Sequence, residues 1–390
     1  MAGPEVYVVE GARTAFGSFG GGLKDVSALE LGVYAAQGAI ARSGLDPAAF
    51  DACFFGNVIQ AGRGAAYMAR HVALRSGLGE RVPALTVNRL CGSGLEAAVQ
   101  AYKAIALGEA QLVLTGGTES MSNAPYHLQG VRFGWGLGGA QVLDSLWDTL
   151  TDDYCGCQMA DTAENLAERF EISREAQDAM SLLSHERALK ATSDGLMAEE
   201  IVPVPTRKGD VTRDEHPRET SMEKLGKLPA RFRANGTVTA GNASGINDGA
   251  AAVVVASGQT VRSAGLEPLA RITGYATVGV DPKVMGIGPV TAIEGALRMA
   301  GWSLSDVDLF EVNEAFAAQY LAVEQSLSLP RERTNVQGGA IALGHPVGAS
   351  GARLLLTLSY QLRRAGLRRG VASLCIGGGQ GIAMAIERLS

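Results

Sequence analysis

The same order of segments occurs twice in this chain, and this repeat restricts the possible fold more than any other feature. Residues 86–117, "TVNRLCGSGLEAAVQAYKAIALGEAQLVLTGG", combine a β-type run, a glycine-rich turn, a run with helical spacing and a second β-type run that ends in glycines. The stretch from Thr334 to Gly379 has the same order. A repeated strand-helix-strand unit predicts a duplicated domain built from two similar α/β halves.

The rest of the chain divides around this repeat. Short β-branched runs alternate with helical runs in residues 1–120 and again in residues 268–390, which is typical of α/β layers. The run "NDGAAAVVVAS" predicts a last strand for the first half, which is therefore completed by about 246–267. Residues 121–245 contain helical runs followed by a polar, poorly periodic stretch, and we predict an inserted domain there. Asp161 and Glu164 resemble a capping box at the start of its first long helix.

Composition excludes several classes of function. The 34 basic and 40 acidic residues are dispersed along 390 residues, so nucleic acid and anionic membranes are not expected partners. The longest apolar runs are too short to span a bilayer, and the N-terminus has no targeting pattern, which predicts a cytoplasmic enzyme. The five cysteines lack the spacing of a disulfide framework. Cys155 and Cys157 have no second Cys or His cluster, so no metal site is expected.

Cys91 lies at the joint between a predicted strand and a predicted helix. The helix follows from apolar residues at helical spacing, namely Leu95, Val99, Tyr102 and Ala106. Unpaired N–H groups and the positive end of the helix dipole favour a thiolate there, which predicts a pKa below the roughly 8.5 of a free thiol. Cys91 is therefore a candidate nucleophile, although a structural cysteine in a tight turn would give the same pattern.

Two further residues occupy matching positions in the second half. A cysteine nucleophile needs a base, and of the five histidines His345 lies at the strand-to-helix turn of the second repeat. Cys375 follows an apolar strand and precedes glycines whose free N–H groups could face an oxyanion. A turn histidine and a core cysteine are the structural alternatives. Both residues lie at strand ends, where α/β sheets usually bind ligands.

Six motifs along the chain resemble those of the thiolase family. They are "VNRLCGSGLEA" at 87–97, "GGTESMS" at 116–122, "NASGINDGAAA" at 242–252, "VNEAFAAQ" at 312–319, "GGAIALGHPVGASGAR" at 338–353 and "CIGGGQG" at 375–381. The resemblance implies a five-layer α-β-α-β-α fold of two α/β halves with an inserted loop domain. It also implies reversible Claisen chemistry on coenzyme A thioesters, no metal or organic cofactor, and a homodimer or homotetramer.

The resemblance also implies a role for each catalytic residue. Cys91 would attack the acyl thioester and carry the acyl group. His345 would take the thiol proton and then help to hold the thioester oxygen of the second substrate. Cys375 would act as acid or base at the carbon next to the carbonyl. Asn313 would hold a water in one oxyanion hole, and the backbone N–H groups of Cys91 and Gly377 would form the other.

Substrate contacts are implied in the same way. Three residues would contact coenzyme A: Arg218, Ala243 and Ser244. Three would line the acyl and pantetheine pocket: Phe232, Met285 and Phe316. Taken singly, each of these residues also suits an ordinary structural role as a solvated charge, a turn residue or a core side chain.

One position departs from the short-chain branch of the family. In "GCQMADTAEN", Gln158 precedes Met159 where acetoacetyl-CoA thiolases usually carry histidine. The expected activity is that of an acetyl-CoA C-acetyltransferase, which interconverts two acetyl-CoA with acetoacetyl-CoA plus coenzyme A. A longer-chain 3-ketoacyl-CoA thiolase of fatty-acid degradation is the alternative, because Gln158 puts the acyl-chain preference in doubt. A catalytically silent coenzyme A-binding protein and a ketoacyl synthase of the same fold are further alternatives; Cys375 argues against the synthase.

Overall fold

The computed structural model of this chain describes residues 4–389. Its strands are β1 (Val6–Thr14), β2 (Gly17–Ser18), β3 (Ala52–Gly56), β4 (Ala84–Val87), β5 (Leu112–Ser120), β6 (Tyr126–Leu128), β7 (Val142–Asp144), β8 (Thr151–Asp152), β9 (Cys157–Gln158), β10 (Ile201–Val202), β11 (Asn247–Ser257), β12 (Ala270–Gly279), β13 (Leu309–Val312), β14 (Arg369–Ile376) and β15 (Gln380–Glu387). Its α-helices are α1 (Ala28–Ser43), α2 (Met68–Arg75), α3 (Ser93–Ala106), α4 (Ser145–Thr149), α5 (Met159–Arg169), α6 (Arg174–Ser193), α7 (Met222–Gly226), α8 (Gly258–Ser263), α9 (Gly288–Ala300), α10 (Ala317–Leu327), α11 (Ala340–Leu343) and α12 (Ser350–Ala365).

The main strands follow one path across the molecule, in the order β13-β14-β15-β12-β1-β11-β5-β3-β4. β10 pairs with β1 and β2 pairs with β11 beside this path. β1 and β12 meet through two residue pairs only, Tyr7 with Arg271 and Val8 with Ala270. This short contact joins the sheet of the first half, β1-β11-β5-β3-β4, to the sheet of the second half, β12-β15-β14-β13.

Helices cover both faces of each half-sheet. α3 and α12 pack on each other between the two sheets, in the largest apolar core. α1 and α2 cover the outer face of the first sheet, while α9 and α10 cover the outer face of the second. The result is the five-layer α-β-α-β-α arrangement that the sequence predicted. β11 is buried along its whole length, as expected for an apolar strand with covered faces.

The repeated unit is present in both halves, but the strand expected at Thr334 is missing from the described residues. In the first half β3 pairs in parallel with β4 and β5, and in the second half β13 pairs in parallel with β14. Thr334 forms only an isolated bridge with Phe310. The chain turns away at Asn335, whose φ is 49°. The Asn335 side-chain amide instead bonds the N–H and the C=O of Val312, both at 2.8 Å, so it replaces the next strand residue.

Two expected details of the helices are wrong. Ala106 is exposed at the last position of α3, outside the buried face formed by the other three apolar residues. Helix α5 begins earlier than the proposed cap, because Gln158 is the extended N-cap residue and its N–H donates to Asp161 Oδ2 at 3.0 Å. Glu164 is buried instead and accepts the Val238 N–H at 2.8 Å.

The segment between β5 and β11 packs against both halves. It contains the β6–β7 and β8–β9 hairpins and helices α4 to α7. β10 of this segment pairs with β1, and α6 contacts α11 of the second half. The boundaries 121–245 for a separate inserted domain stay a prediction.

Residues 4–389 contain neither a membrane-spanning helix nor a cluster of metal ligands. No helix in that range combines the length and the apolar character needed to cross a membrane. The same range contains no group of three or more His, Cys, Asp or Glu side chains arranged to hold a metal ion.

Candidate active site

Cys91 lies in a tightly held turn between β4 and α3. Leu90, directly before it, has φ of 46°, a left-handed conformation that is uncommon for a side chain of this size. The Ser93 hydroxyl holds the turn, since it accepts the Arg89 N–H at 2.8 Å and donates to the Leu90 carbonyl at 2.7 Å. The turn therefore fixes the position of the thiol just before the helix begins.

The predicted low pKa of Cys91 is wrong for this structure. Burial raises the pKa of the thiol to about 11, and the charge of nearby Glu119 adds to the increase. The backbone N–H groups of Gly377 and Cys91 both hydrogen-bond the thiol and act in the opposite direction. Desolvation outweighs these donors although the residue is only partly buried, because it disfavours the charged form of the thiol. The donors themselves are the two N–H groups that the sequence predicted for an oxyanion hole.

His345 is held in one tautomer by the start of α12. Its Nδ1 lies 2.6 Å from the Ser350 hydroxyl, and that hydroxyl donates to the Pro346 carbonyl at 2.8 Å. With the Ser350 hydrogen assigned to the Pro346 carbonyl, Nδ1 carries the proton that it shares with Ser350. Nε2 is then the accepting nitrogen, and it faces the Asn313 amide nitrogen at 3.4 Å. A neutral imidazole with an accepting Nε2 is the form that a general base requires.

The electrostatic surroundings also keep His345 neutral. Burial lowers its pKa to about 3, and the positive charge of Arg353 acts in the same direction. The backbone N–H of His345 donates to Asn247 Oδ1 at 3.0 Å. Gly344 packs so closely on Asn247 that a Cβ atom at position 344 would lie 2.4 Å from its side chain, and its φ is 102°. Glycine is therefore required directly before this histidine.

A buried carboxyl group supports the loop that follows His345. Glu119, at the end of β5, accepts the backbone N–H groups of Val58, Ile59 and Gly348 at 3.0 to 3.1 Å. It also accepts the Asn57 amide at 3.0 Å. Burial raises the pKa of Glu119 to about 8, which these backbone donors oppose. The carboxyl group thus ties the histidine loop to the first half of the molecule.

Cys375 ends β14 on the other side of the site. Its side chain is buried in a small apolar cluster with Met285 and Ala315, against which Met159 and Phe316 pack. Burial raises the pKa of this thiol, and the neighbouring Cys91 raises it further, so the two sulfur groups interact directly through space. The chain then turns through glycines to β15, which brings the Gly377 N–H to Cys91 as described above.

Asn313 follows β13 and completes the cluster around His345. Its side chain is fully buried, and within residues 4–389 its Oδ1 atom has no hydrogen-bond partner. The five predicted catalytic residues form two groups: Asn313 contacts His345, while Gly377 and Cys375 lie next to Cys91. Their catalytic roles stay predictions.

A cavity of about 530 Å³ reaches His345 and contains most of the predicted substrate contacts. Six of those residues line it: Gln158, Met159, Phe232, Ala243, Ser244 and Phe316. Ala243 and Phe316 face each other in an isolated antiparallel bridge. Met285 is outside the lining and packs on Cys375 instead. Arg218 is also outside it; its exposed side chain lies 3.2 Å from the ring of His216, which does line the cavity.

Several residues of the site have no individual signal in the sequence. Ser350 and Glu119 hold the histidine loop, but Ser350 begins α12 and Glu119 is near the end of β5, and their hydrogen bonds to this loop appear only in three dimensions. The cavity wall also includes Leu146 and Trp147 of α4, which the sequence placed in the inserted segment without a function. Apolar residues on a short helix of five residues give too weak a periodic pattern to indicate a ligand site.

Comparison with known proteins gives relatives of nearly equal length. The human protein named "3-ketoacyl-CoA thiolase, mitochondrial" is 52% identical over 388 residues, which are 98% of each chain. The crystal structure of human mitochondrial 3-ketoacyl-CoA thiolase in complex with CoA has a TM-score of 0.98 at 51% identity, covering 99% of this chain and 98% of that one. The crystal structure of the Bacillus anthracis acetyl-CoA acetyltransferase has a TM-score of 0.96 at 46% identity, with full coverage of both chains, 100% each.

These relatives overturn the expectation of a cytoplasmic location. The human and Bos taurus relatives are both named as mitochondrial. The expectation depended on the absence of a targeting pattern near the N-terminus of this sequence, and such an absence is weak support for any compartment. The cytoplasmic assignment is therefore wrong by this comparison.

Family models cover almost the whole chain. The model described as "Thiolase, N-terminal domain" matches residues 6–259, and the one described as "Thiolase, C-terminal domain" matches residues 266–388. Together with the relatives and the five-layer fold, these matches confirm the resemblance seen in the six sequence motifs. The chain belongs to the thiolase family and is an acyltransferase enzyme.

Proposed function

We propose that this enzyme is a 3-ketoacyl-CoA thiolase that cleaves acyl chains longer than acetoacetyl. The observation that carries the proposal is the cavity of about 530 Å³ beside His345, whose wall is mostly apolar and includes Leu146, Trp147 and Phe232. An apolar wall of this size suits a ligand that buries several methylene groups. The human relative with this name, at 52% identity, supports the same substrate class.

Gln158 adds a second argument for the longer substrates. It lies half-buried in the cavity wall, at the position where short-chain members usually carry histidine. An amide does not titrate, so it supplies hydrogen bonds without the positive charge that a histidine can carry. The acetyl-CoA acetyltransferase activity that the sequence first suggested is thus less well supported than the longer-chain alternative.

In the first half-reaction, Cys91 acts as nucleophile. His345 Nε2 takes the thiol proton, and the sulfur attacks the 3-keto carbonyl of the substrate. The oxyanion that forms accepts hydrogen bonds from the backbone N–H groups of Cys91 and Gly377, which already hydrogen-bond the Cys91 thiol. The bond between C2 and C3 then breaks, and the shortened acyl group stays on Cys91.

Asn313, His345 and Cys375 stabilise and protonate the leaving group. The electron pair of the broken bond moves onto the acetyl-CoA enolate, whose oxygen faces Asn313 and the protonated His345. Cys375 gives its thiol proton to the carbon, which completes acetyl-CoA. The Cys375 thiolate then takes the thiol proton of free coenzyme A, and the coenzyme A sulfur attacks the acyl group on Cys91. The bond between Cys91 and the acyl group breaks, acyl-CoA leaves, and the Cys91 thiolate takes back its proton from His345. The nearness of the two thiols supports this division of roles, because Cys91 must reach C3 while Cys375 must reach the adjacent C2.

Acetoacetyl-CoA is the second candidate substrate. The Bacillus anthracis acetyl-CoA acetyltransferase structure, with a TM-score of 0.96, supports it, and so does Met285, which packs against Cys375 and reduces the space there. A catalytically silent coenzyme A-binding protein is disfavoured, because the chain retains all four residue types that the proposed mechanism needs: Cys91, His345, Cys375 and Asn313.

Thiolysis assays with free coenzyme A separate these candidates. The protein is given either acetoacetyl-CoA or a medium-chain 3-ketoacyl-CoA, with Cys91→Ser as the inactive control. We expect a higher kcat/KM for the medium-chain substrate. Activity on acetoacetyl-CoA alone would establish the short-chain enzyme instead, and coenzyme A binding without any turnover would establish the silent protein.

Cys375→Ser tests the division of roles between the two thiols. We expect this variant to accept an acetyl group from acetyl-CoA on Cys91 but to lose thiolysis, because serine is too weak an acid to protonate the carbon at neutral pH. Mass spectrometry of the acylated protein and the thiolysis rate measure the two steps separately. Turnover close to wild type would contradict the acid role of Cys375.

A further inference from the structure

Two cysteines that the proposed mechanism does not use lie side by side next to the active site. Cys155 and Cys157 flank Gly156 in the turn of the β8–β9 hairpin, and both thiols are free and partly exposed. Gly156 has φ of 66°, so the chain reverses sharply between them. The Cys157 thiol lies 3.5 Å from the Cys155 carbonyl oxygen. The two thiols also hydrogen-bond each other, so the sulfur atoms lie close together.

The hairpin that carries the pair forms part of the wall beside the nucleophile. A cavity of about 330 Å³ is lined by the hairpin and by Leu90, Gly377 and Gly378. Met159, two residues after Cys157, packs on Gly377, since a Cβ atom at position 377 would lie 3.1 Å from its sulfur. Met159 therefore links the hairpin to Gly377, whose N–H hydrogen-bonds the Cys91 thiol.

We propose that Cys155 and Cys157 form a redox site, a dithiol that closes to an internal disulfide by exchange with a small disulfide such as oxidised glutathione. One cysteine thiolate attacks a glutathione sulfur and releases one glutathione thiolate, which takes up the proton. The second cysteine attacks the mixed disulfide and releases the second glutathione. Two cysteine thiols and one oxidised glutathione give one protein disulfide and two reduced glutathione molecules.

The position of the pair favours a reversible disulfide over a permanent one. A ring closed by cysteines with a single residue between them is small, and strained or exposed disulfides are the ones that are easily reduced again. A metal site is disfavoured, because the pair has no third His, Cys, Asp or Glu ligand in the part of the chain that the structure describes. Cys53 is a contrasting case, since it is fully buried in the first-half core and cannot meet an oxidant.

The exchange should be faster at higher pH. Burial raises the pKa of Cys155 to about 11, and its hydrogen bond with the Cys157 thiol contributes to the increase. Only the thiolate attacks a disulfide, so the reactive form of Cys155 is scarce at neutral pH and increases as the pH rises towards 9.

Peptide mapping tests the proposed disulfide without any assay of activity. Trypsin places Cys155 and Cys157 together in peptide 133–169, apart from Cys91 in 90–103 and Cys375 in 370–388. After treatment of the intact protein with oxidised glutathione at pH 8.5, we expect peptide 133–169 to lose two hydrogen atoms and to regain them with dithiothreitol. Cys155→Ser should give only a glutathione adduct. An unchanged wild-type peptide, or one that stops at a stable glutathione adduct, overturns the proposal.

A second experiment measures the effect of the Cys155–Cys157 disulfide on catalysis, and it depends on the proposed thiolase function. Reduced wild type, Cys155→Ser and Cys157→Ser should have the same thiolysis rate, because neither cysteine touches the substrate cavity. After oxidation we expect a several-fold, dithiothreitol-reversible rise in KM in the wild type alone. Oxidation of Cys91 would affect all three proteins equally, so an equal loss overturns the coupling between the pair and the active site. If the reduced proteins turn over no 3-ketoacyl-CoA, the thiolase function fails while the peptide result still stands.

Discussion

Burial keeps the Cys91 thiol and the His345 imidazole, the two groups of the first proton transfer, uncharged. It raises the pKa of Cys91 to about 11 and lowers the pKa of His345 to about 3, so a neutral thiol and a neutral imidazole are the stable pair in the free enzyme. The proton therefore moves only when the attack on a carbonyl creates an oxyanion that the backbone N–H groups can stabilise. The site differs in this respect from cysteine enzymes that hold a preformed thiolate next to a charged histidine.

The pH dependence of alkylation tests this neutral pair. Because the pKa of Cys91 lies above the ordinary value, its thiolate fraction increases by about tenfold for each pH unit throughout the range from 7 to 9. The rate of reaction with iodoacetamide, followed on the tryptic peptide 90–103, should increase in parallel without a plateau. A plateau below pH 8 would show that the thiol is ionised at rest, as the helix terminus alone predicted.

Ser350→Ala tests the hydrogen bond that fixes the histidine tautomer. Without the hydroxyl at 2.6 Å, Nδ1 has no partner, and Nε2 is no longer held as the acceptor. We expect kcat for thiolysis to fall roughly tenfold, about 1.4 kcal/mol, with little change in KM because Ser350 does not line the substrate cavity. Ser359→Ala is the matched control, since Ser359 is buried in the same helix and donates to the Leu355 carbonyl in the same way. Equal losses in both variants would contradict a role specific to His345.

At the scale of elements, a buried ion pair fixes the polar stretch that leads to the cavity. Arg13 in β1 binds both oxygens of Asp214, at 2.7 and 2.9 Å, and its Nε atom donates to Glu200 at 3.0 Å. Asp214 also accepts the Phe16 N–H at 2.8 Å. His216 follows two residues later in the cavity wall. The segment therefore lies where it does because of a side chain of the first strand, which no local pattern in the segment specifies.

Asp214→Ala should destabilise the protein and weaken substrate binding together. The variant removes one of the two carboxylate partners of Arg13, whose side chain is 1% exposed. Breaking a buried ion pair lowers the free energy of unfolding by about 3–5 kcal/mol. We expect a lower midpoint of urea unfolding. We also expect a higher KM for coenzyme A, because the segment that carries His216 in the cavity wall is no longer held by Arg13. Asp194→Ala removes an exposed partner of Lys190 and should change stability by less than about 0.5 kcal/mol. An Asp214→Ala protein as stable as that control would show that the pair contributes nothing.

At the scale of the whole molecule, one surface is unusually apolar. The loop between β6 and β7 carries Phe133, Trp135 and Leu137, which are largely or fully exposed. Apolar side chains grouped in this way mark contact surfaces in soluble proteins. We propose that this loop contacts other copies of the chain in a homodimer or homotetramer, the assembly that the sequence resemblance suggested.

The double variant Phe133→Ser, Leu137→Ser should reduce the size of the assembly. Serine removes the apolar area that a subunit contact would bury, so the mass from light scattering should decrease by a whole number of subunits. Leu107→Ser replaces an exposed leucine on another surface and should leave the mass unchanged. A wild type that is already a monomer, or a double variant with unchanged mass, would rule out this loop as the contact.

The fold class could be predicted from the sequence, and Cys91, His345 and Cys375 could be selected as candidate catalytic residues, because their signals are local. Alternating apolar runs predicted β1, β5 and β11, and the repeated glycine-rich turns gave two halves with Cys91 and His345 at equivalent positions. The preferred length of the acyl chain was harder to predict from the sequence. Gln158 was visible as a departure, but the size of the cavity around it depends on side chains from segments far apart in the chain.

The tertiary structure decided the pKa values of buried groups and the hydrogen bonds between residues that are far apart in the sequence. The helix terminus alone predicted a low pKa for Cys91, whereas packing against the second half removes water from the thiol and reverses the direction. The hydroxyl of Ser350 and the carboxyl group of Glu119 became parts of the site only when the loops around His345 came together. The sequence by itself determined which elements form and which side chains can react, because periodicity and turn chemistry act between near neighbours. Protonation states and substrate space depend on the dielectric surroundings and on contacts across the whole fold, so only the assembled layers determine them.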